Sequence, residues 1–206
     1  MAERGAMVSV NTSSNLRLRS GIAPVHKFIK AGMEFGFGLD SFSFDDNDDA
    51  FQEMRIGHWL HSLDQSETPL TIDSLFRGWH ANGFRAVNNE AGYGAIATGA
   101  PADLVMLDYE AMAYDVIDGM AGERDVLLTR AGNRYIESVI VAGREIVRNG
   151  VVLGVDLPAI ESEILTQARA ATGRMQELKP VLDRSKATLD AYYRAGGHSG
   201  RISRAH

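Results

Sequence analysis

Two strand-then-helix units, and no more, can be read in residues 1–90, and that number limits the fold more than any other feature. Ala6 to Val10 is short, apolar and β-branched, and it runs into the polar cluster Asn11 to Asn15, which predicts a strand entering a loop. Pro24 opens a helix in which Val25, Phe28 and Ile29 share a face, and Gly32 stops it. From Met33 to Leu39 the bulky residues Phe35, Phe37 and Leu39 alternate with Gly36 and Gly38, as in a strand with one large and one bare face, and Asp40 stands at its end. A helix from Ala50 to Leu63 follows, with Ile56, Trp59, Leu60 and Leu63 as its apolar stripe, and another starts near Thr71 and Asp73 and continues past Trp79. Two parallel strands cannot bury both faces of a sheet without neighbours and covering helices, so the first half is expected to be part of a larger parallel array. Ala2 to Gly5 fits this, since it reads as the tail of a helix with its glycine stop.

Beyond Gly92 the period changes. Ala102 to Asp108, Asp125 to Arg130 and Tyr135 to Val141 read as strands, and a hairpin passes through Ala142-Gly143 into Glu145 to Arg148, closing at Asn149-Gly150. Pro158 then starts a long helix with Ile160, Ile164, Ala168, Ala171 and Met175 on one face, and Pro180 opens a second helix carrying Leu182, Leu189 and Tyr192. The tail after Gly196 is expected to be disordered. Three regions result: 1–90 with the βα units, 91–155 with an antiparallel β segment, and 156–206 with the terminal helices.

Composition narrows the function. Of 206 residues, 45% are apolar and 23% charged, enough for a real core, and the net charge of −6 comes with scattered rather than clustered Lys and Arg. Nucleic acid and anionic membrane are poor partners for such a surface, and a neutral or cationic small molecule suits it better. There is no cysteine, which removes disulfides and thiolate metal sites and suits a reducing cytoplasm. No apolar run approaches the length of about 20 residues that spans a bilayer.

Several segments together resemble one family. Ser14-Asn15-Leu-Arg-Leu-Arg-Ser20-Gly21-Ile-Ala-Pro24-Val, then Ala31-Gly32, then Gly38-Leu39-Asp40, look like the seventh and eighth barrel strands of the amidohydrolase superfamily, in its cytosine-deaminase-like and triazine-hydrolase-like branch. Ala81-Asn82-Gly83 resembles the helix after strand eight, Gly99-Ala-Pro-Ala-Asp103-Leu-Val the return into the small β domain, and Val139-Ile-Val-Ala-Gly143-Arg the terminal hairpin. The resemblance covers residues 2–152 in order and implies an α/β fold: the last two βα units of a (β/α)8 barrel, a small β-sandwich and C-terminal helices. Ser41 departs from it, standing where the family often has glycine.

By resemblance, Asp40 is the catalytic carboxylate, also touching the metal, which is Zn2+ or another divalent ion in the complete parent enzyme. Such a group takes the proton of an attacking water and delivers it to a departing ammonia or amine. Read alone, an aspartate after a strand is more often a turn residue. Asn15 is a weaker candidate for substrate binding, against the ordinary role of Asn in a turn. His58 and His61 lie three apart on one helix, a spacing zinc can use, but no third ligand stands nearby and packing is the better account. Asp45, Asn47 and Asp49 alternate like a calcium loop, yet Ala50 and Ile56 occupy the positions that need Gly and Glu, so a helix cap is expected instead. Gly92-Tyr-Gly94 only grazes a dinucleotide fingerprint.

The family's His-x-His pair and its further metal-binding histidines belong to earlier strands, and none of the chain's six histidines sits in a matching motif. The expectation is therefore the C-terminal part of an enzyme hydrolysing non-peptide C–N bonds, acting on an amino-substituted nitrogen heterocycle and inactive as an isolated chain. The alternative is a non-catalytic module that binds a partner or assembles as a homo-oligomer through its terminal helices.

Overall fold

The computed structural model describes residues 2–41, 47–62, 69–88 and 94–196, which fall into two compact units, Met1–Leu153 and Gly154–His206. The first unit begins with a 3-10 turn, Ala2–Arg4, closed at Gly5 with a φ of 66°. Strand β1 (Val8–Val10) pairs in parallel with β2 (Phe35–Phe37), Val8 opposite Phe35 and Val10 opposite Phe37. The two strands thus start and end level, and the chain leaves both at the same edge. Between them run α1 (Thr12–Leu18) and α2 (Val25–Lys30). The segment Asn11 to Asn15 is therefore the start of a helix and not the expected loop. Its N-terminal cap comes from a distant residue, which local sequence cannot disclose.

After β2 come α3 (Ala50–Ser62), α4 (Ile72–Trp79) and α5 (Ala81–Asn88). Thr71 caps α4 as expected, its hydroxyl accepting the Ser74 N–H at 3.1 Å. The helix does not continue unbroken past Trp79, because His80 leaves helical geometry at φ −93°, ψ −82°. Asp49 caps α3 through the N–H of Phe51 at 2.9 Å, which supports the cap over the calcium loop; residues 42–46 lie outside the described residues, as do 91–93 of the glycine motif.

Val10, Val25, Phe35, Phe37, Met54, Leu70, Leu75 and Leu128 form the main core. On α3 the buried residues are Glu53, Met54, Gly57 and His61, while Trp59 is 56% exposed. The apolar stripe expected at Ile56, Trp59 and Leu60 is rotated away from the true inner face, because that face carries a carboxylate, a glycine and a histidine that hydropathy counts as polar or neutral; Leu63 lies outside the described residues.

A four-stranded antiparallel sheet follows in the order β3 (Leu104–Leu107), β4 (Ile136–Val141), β5 (Arg144–Arg148), β6 (Val151–Val152). The described strands of this region form this single sheet. Ala142-Gly143 and Asn149-Gly150 turn its hairpins with φ values of 50° and 76° and of 50° and 73°, the paired left-handed geometry of the tightest turns. Between β3 and β4 lie α6 (Tyr109–Ala113) and α7 (Glu123–Arg130). The strand expected over Asp125 to Arg130 is thus a helix. Val126 enters a second cluster with Met112 and Ala131, and Leu128 enters the main core, so a helix buried on two sides imitates a period of two.

The second unit holds α8 (Leu157–Ala170), capped by Asp156 with Pro158 in its first turn, and α9 (Thr172–Arg194). Pro180 lies inside α9 instead of opening it, and the break falls at Ala171. Proline removes one ladder bond and costs a helix interior about 3 kcal/mol relative to alanine. Pro180→Ala is expected to increase helical circular dichroism and raise the thermal midpoint of this unit; an unchanged spectrum would contradict the continuous helix. Neither helix buries a residue. No helix among the described residues is long and apolar enough to cross a membrane.

Candidate functional site

The level ends of β1 and β2 set the site. The Gly38 N–H donates to the Val10 carbonyl at 3.1 Å, extending the pairing one step beyond β2. Gly38 leaves room there: a side-chain carbon would come 2.9 Å from Asn11 Oδ1 and 3.3 Å from Ser9 Oγ, two atoms hydrogen-bonded to each other that would have to shift. Two residues later Asp40 turns with a φ of 63°, and Ser41 follows at 92°. Aspartate tolerates the left-handed region better than most side chains; serine at 92° stands in a conformation suited to glycine. That gives a physical reason for the family's glycine at this position and locates backbone strain beside the candidate carboxylate.

Asp40 is exposed, but one of its oxygens is held. The Ser14 hydroxyl, in a residue only 1% exposed, donates to Asp40 Oδ2 at 2.6 Å, the short distance of an O–H bound to a charged acceptor. Among the described residues no other hydrogen bond reaches the carboxylate, which leaves Oδ1 available. The structure thus brings together Ser14 and Asp40 from the segments following two adjacent parallel strands. Asn15, the next residue on α1, is half-buried, and its backbone carbonyl accepts the N–H groups of Arg19 and Ser20 at the helix end. No hydrogen bond joins its side chain to Asp40 among the described residues.

Sequence inspection missed Glu53. It is fully buried, and its carboxylate accepts the backbone N–H of Thr12 at 2.5 Å and of Ser13 at 3.1 Å. An acidic residue inside a helix whose neighbours Met54 and Gly57 face inward is the only local signal, and it becomes visible once the inner face of α3 is known.

No three His, Cys, Asp or Glu side chains gather as a metal-holding group among the described residues. His58 and His61 fit packing: His61 is buried, and His58 is half-buried with Nδ1 lacking a hydrogen-bond partner. Burial pushes the His58 pKa below its ordinary 6.5, and the charge of Asp125 offsets this only in part. The neutral ring is therefore favoured in the folded chain. The stability it preserves is present above about pH 6.5 and is lost as pH falls through the lower folded value. His58→Gln is expected to flatten the drop in thermal midpoint between pH 7 and 5; an identical slope would rule His58 out as its source.

The model of the amidohydrolase family matches residues 1–154. The chain belongs to the amidohydrolase family. Among curated amidohydrolase relatives, a 5'-deoxyadenosine deaminase of Methanosarcina mazei is 28% identical over 176 residues, covering 83% of this chain and 38% of that protein. A 5-methylthioadenosine/S-adenosylhomocysteine deaminase of Desulforudis audaxviator is 30% identical over 178 residues, covering 86% and 40%. An adenosine deaminase from Xanthomonas campestris, solved with bound zinc, superposes with a TM-score of 0.71 at 26% identity over 85% of this chain and 38% of that one. The atrazine chlorohydrolase of Arthrobacter aurescens TC1, complexed with zinc and atraton as a mutant, shares the fold alone, at a TM-score of 0.66 and 20% identity over 80% and 36% of the two chains. The chain therefore spans about two fifths of the length of these curated amidohydrolases.

Proposed function

We propose that this chain is the C-terminal part of a metal-dependent amidohydrolase that hydrolyses a non-peptide C–N bond, removing the amino group of a nitrogen heterocycle. The observation that carries it is a single carboxylate, Asp40, gripped by Ser14 at the shared edge of two parallel strands, within residues 1–154, which the amidohydrolase family model matches. In barrels the C-terminal strand edge bears the chemistry. The names of the relatives support an adenine nucleoside as the substrate, whose 6-amino group leaves as ammonia once water adds to the ring carbon. Asp40 Oδ1 takes a proton from that water and returns one to the departing nitrogen, while Ser14 keeps Oδ2 in place.

A catalytic zinc needs about three protein ligands, and the described residues offer Asp40 alone at this edge, so they do not fit the metal by themselves. The remaining donors of the complete enzyme come from strands that this chain does not contain, and the isolated chain turns over nothing. Residues 1–90 are then the end of the barrel, 91–155 its small β domain and 156–206 terminal helices, in a protein of the cytoplasm. The test is the coding sequence upstream of Met1. An in-frame segment with a His-x-His strand is expected, and its absence would sink the proposal.

A second reading has one observation in its favour: α8 and α9 bury nothing, and Ile164, Leu182 and Tyr192 are 59%, 53% and 51% exposed. A chain that functions alone as an oligomer-forming module would be a stable assembly in light scattering, whereas a lone monomer or an aggregate would count against it.

A further inference from the structure

We infer that Glu53 is a positioning residue for Asp40, acting through helix α1 and the Ser14 hydroxyl. Helix α1 has seven residues, too few to persist without external support. Its own N-cap does not supply that support. Asn11 is a residue type suited to capping, yet it makes no side-chain cap, and its Oδ1 accepts the Ser9 hydroxyl at 2.9 Å instead. The first two helical N–H groups, of Thr12 and Ser13, turn to Glu53 on α3, with Oε1 at 2.5 and 3.1 Å and Oε2 at 3.2 Å from Ser13.

A cap from some forty residues away fixes where the helix starts as well as whether it forms. Gly57, one turn on from Glu53, faces the start of α1: a side-chain carbon there would lie in ordinary contact, 3.6 Å, with Thr12 Oγ1. The carboxylate also meets the positive end of the α1 dipole, where a negative group is favoured. Ser14 is the third residue of this helix, and its side chain is the one that holds Asp40 Oδ2. A shift of α1 therefore moves the serine hydroxyl away from a 2.6 Å contact that allows little tolerance. The link runs from Glu53 to the α1 backbone, from α1 to Ser14, and from Ser14 to Asp40.

The geometry stands by itself, while its consequence for catalysis rests on the proton role proposed for Asp40. The test uses the isotopically labelled 206-residue chain and nuclear magnetic resonance. The unaltered chain is expected to show scalar couplings across the hydrogen bonds from the Thr12 and Ser13 amide nitrogens to the Glu53 carboxyl carbon, and one χ1 rotamer at Asp40. Ser14→Ala keeps those couplings but averages the Asp40 rotamer. Glu53→Leu, which removes the acceptor at similar size, while remaining folded speeds amide exchange at Thr12 and Ser13 at least tenfold and averages Asp40 as Ser14→Ala does. The double variant leaves Asp40 no more mobile than either single one, since both cut the same link. A folded Glu53→Leu chain with Asp40 still fixed overturns the inference. So does absence of the couplings in the unaltered chain, an observation that needs no variant to fold. An Asp40→Asn enzyme with undiminished turnover would remove the proton role and leave these signals untouched.

Discussion

Asp40→Asn in the complete enzyme is expected to lower kcat by about 10²–10⁴-fold, the usual contribution of a positioned acid–base group, with KM nearly unchanged. Asparagine is the right probe because it changes so little else. Its amide oxygen still accepts the Ser14 hydroxyl, and asparagine, like aspartate, tolerates the left-handed backbone that gives Asp40 its φ of 63°. What it lacks is an oxygen that can take a proton and give it back. Asp40→Glu keeps the acid but lengthens the arm and occupies the left-handed region less readily, so it too is expected to lose most activity. The measurement is steady-state ammonia release from the adenine nucleoside proposed as substrate, with circular dichroism to show that both variants fold. Ordinary turnover by the asparagine variant would leave Asp40 as a turn residue, the role such a position most often has.

Features resting on local chemistry were legible before the structure: strand β2 with its bare glycine side, the position of Asp40 after it, the Thr71 cap, and the turns at Ala142-Gly143 and Asn149-Gly150. Each follows from a residue and its immediate neighbours. What escaped depends on groups far apart in sequence. Thr12 to Leu18 is helical because Glu53 caps it, and nothing in Thr-Ser-Ser-Asn announces that partner. The inner face of α3 is hidden because its contacts are made by Glu53 and Gly57, which add nothing to an apolar stripe. Helix α7 looked like a strand because Val126 and Leu128 serve two different clusters. At the site, the same division holds. Asp40 is singled out as a candidate by its resemblance pattern, whereas Ser14 gains its meaning only from its 2.6 Å contact with it.

Phe37→Ala should destabilise the chain by about 3–5 kcal/mol, a large part of the roughly 5–15 kcal/mol that holds a domain together. Phe37 is 8% exposed and stacks on Trp79 with ring centroids 5.9 Å apart and planes within 10°, while Phe35 meets its edge at 5.8 Å and 85°. Gly57 of α3 and Gly78 of α4 flank the ring so closely that a side-chain carbon on either would come within 3.1 Å of it. Both helices therefore lean on one aromatic side chain, and alanine there opens a cavity that neither can close without moving. The glycines supply a control of opposite sign. Gly57→Ala gains about 1 kcal/mol of helix propensity but presses a methyl group into the ring, at a cost of about 1–3 kcal/mol. Phe37→Leu should relieve that pressure, so the pair Gly57→Ala and Phe37→Leu is expected to cost less than the sum of its parts. Urea denaturation of the four chains of this cycle, and of the Phe37→Ala chain, measures both effects directly. Strict additivity, or a Phe37→Ala midpoint close to that of the unaltered chain, would mean that Phe37 is not the residue on which α3 and α4 close. Because Phe37 stands three residues before Asp40, the same loss of packing should free the candidate carboxylate before the whole unit unfolds.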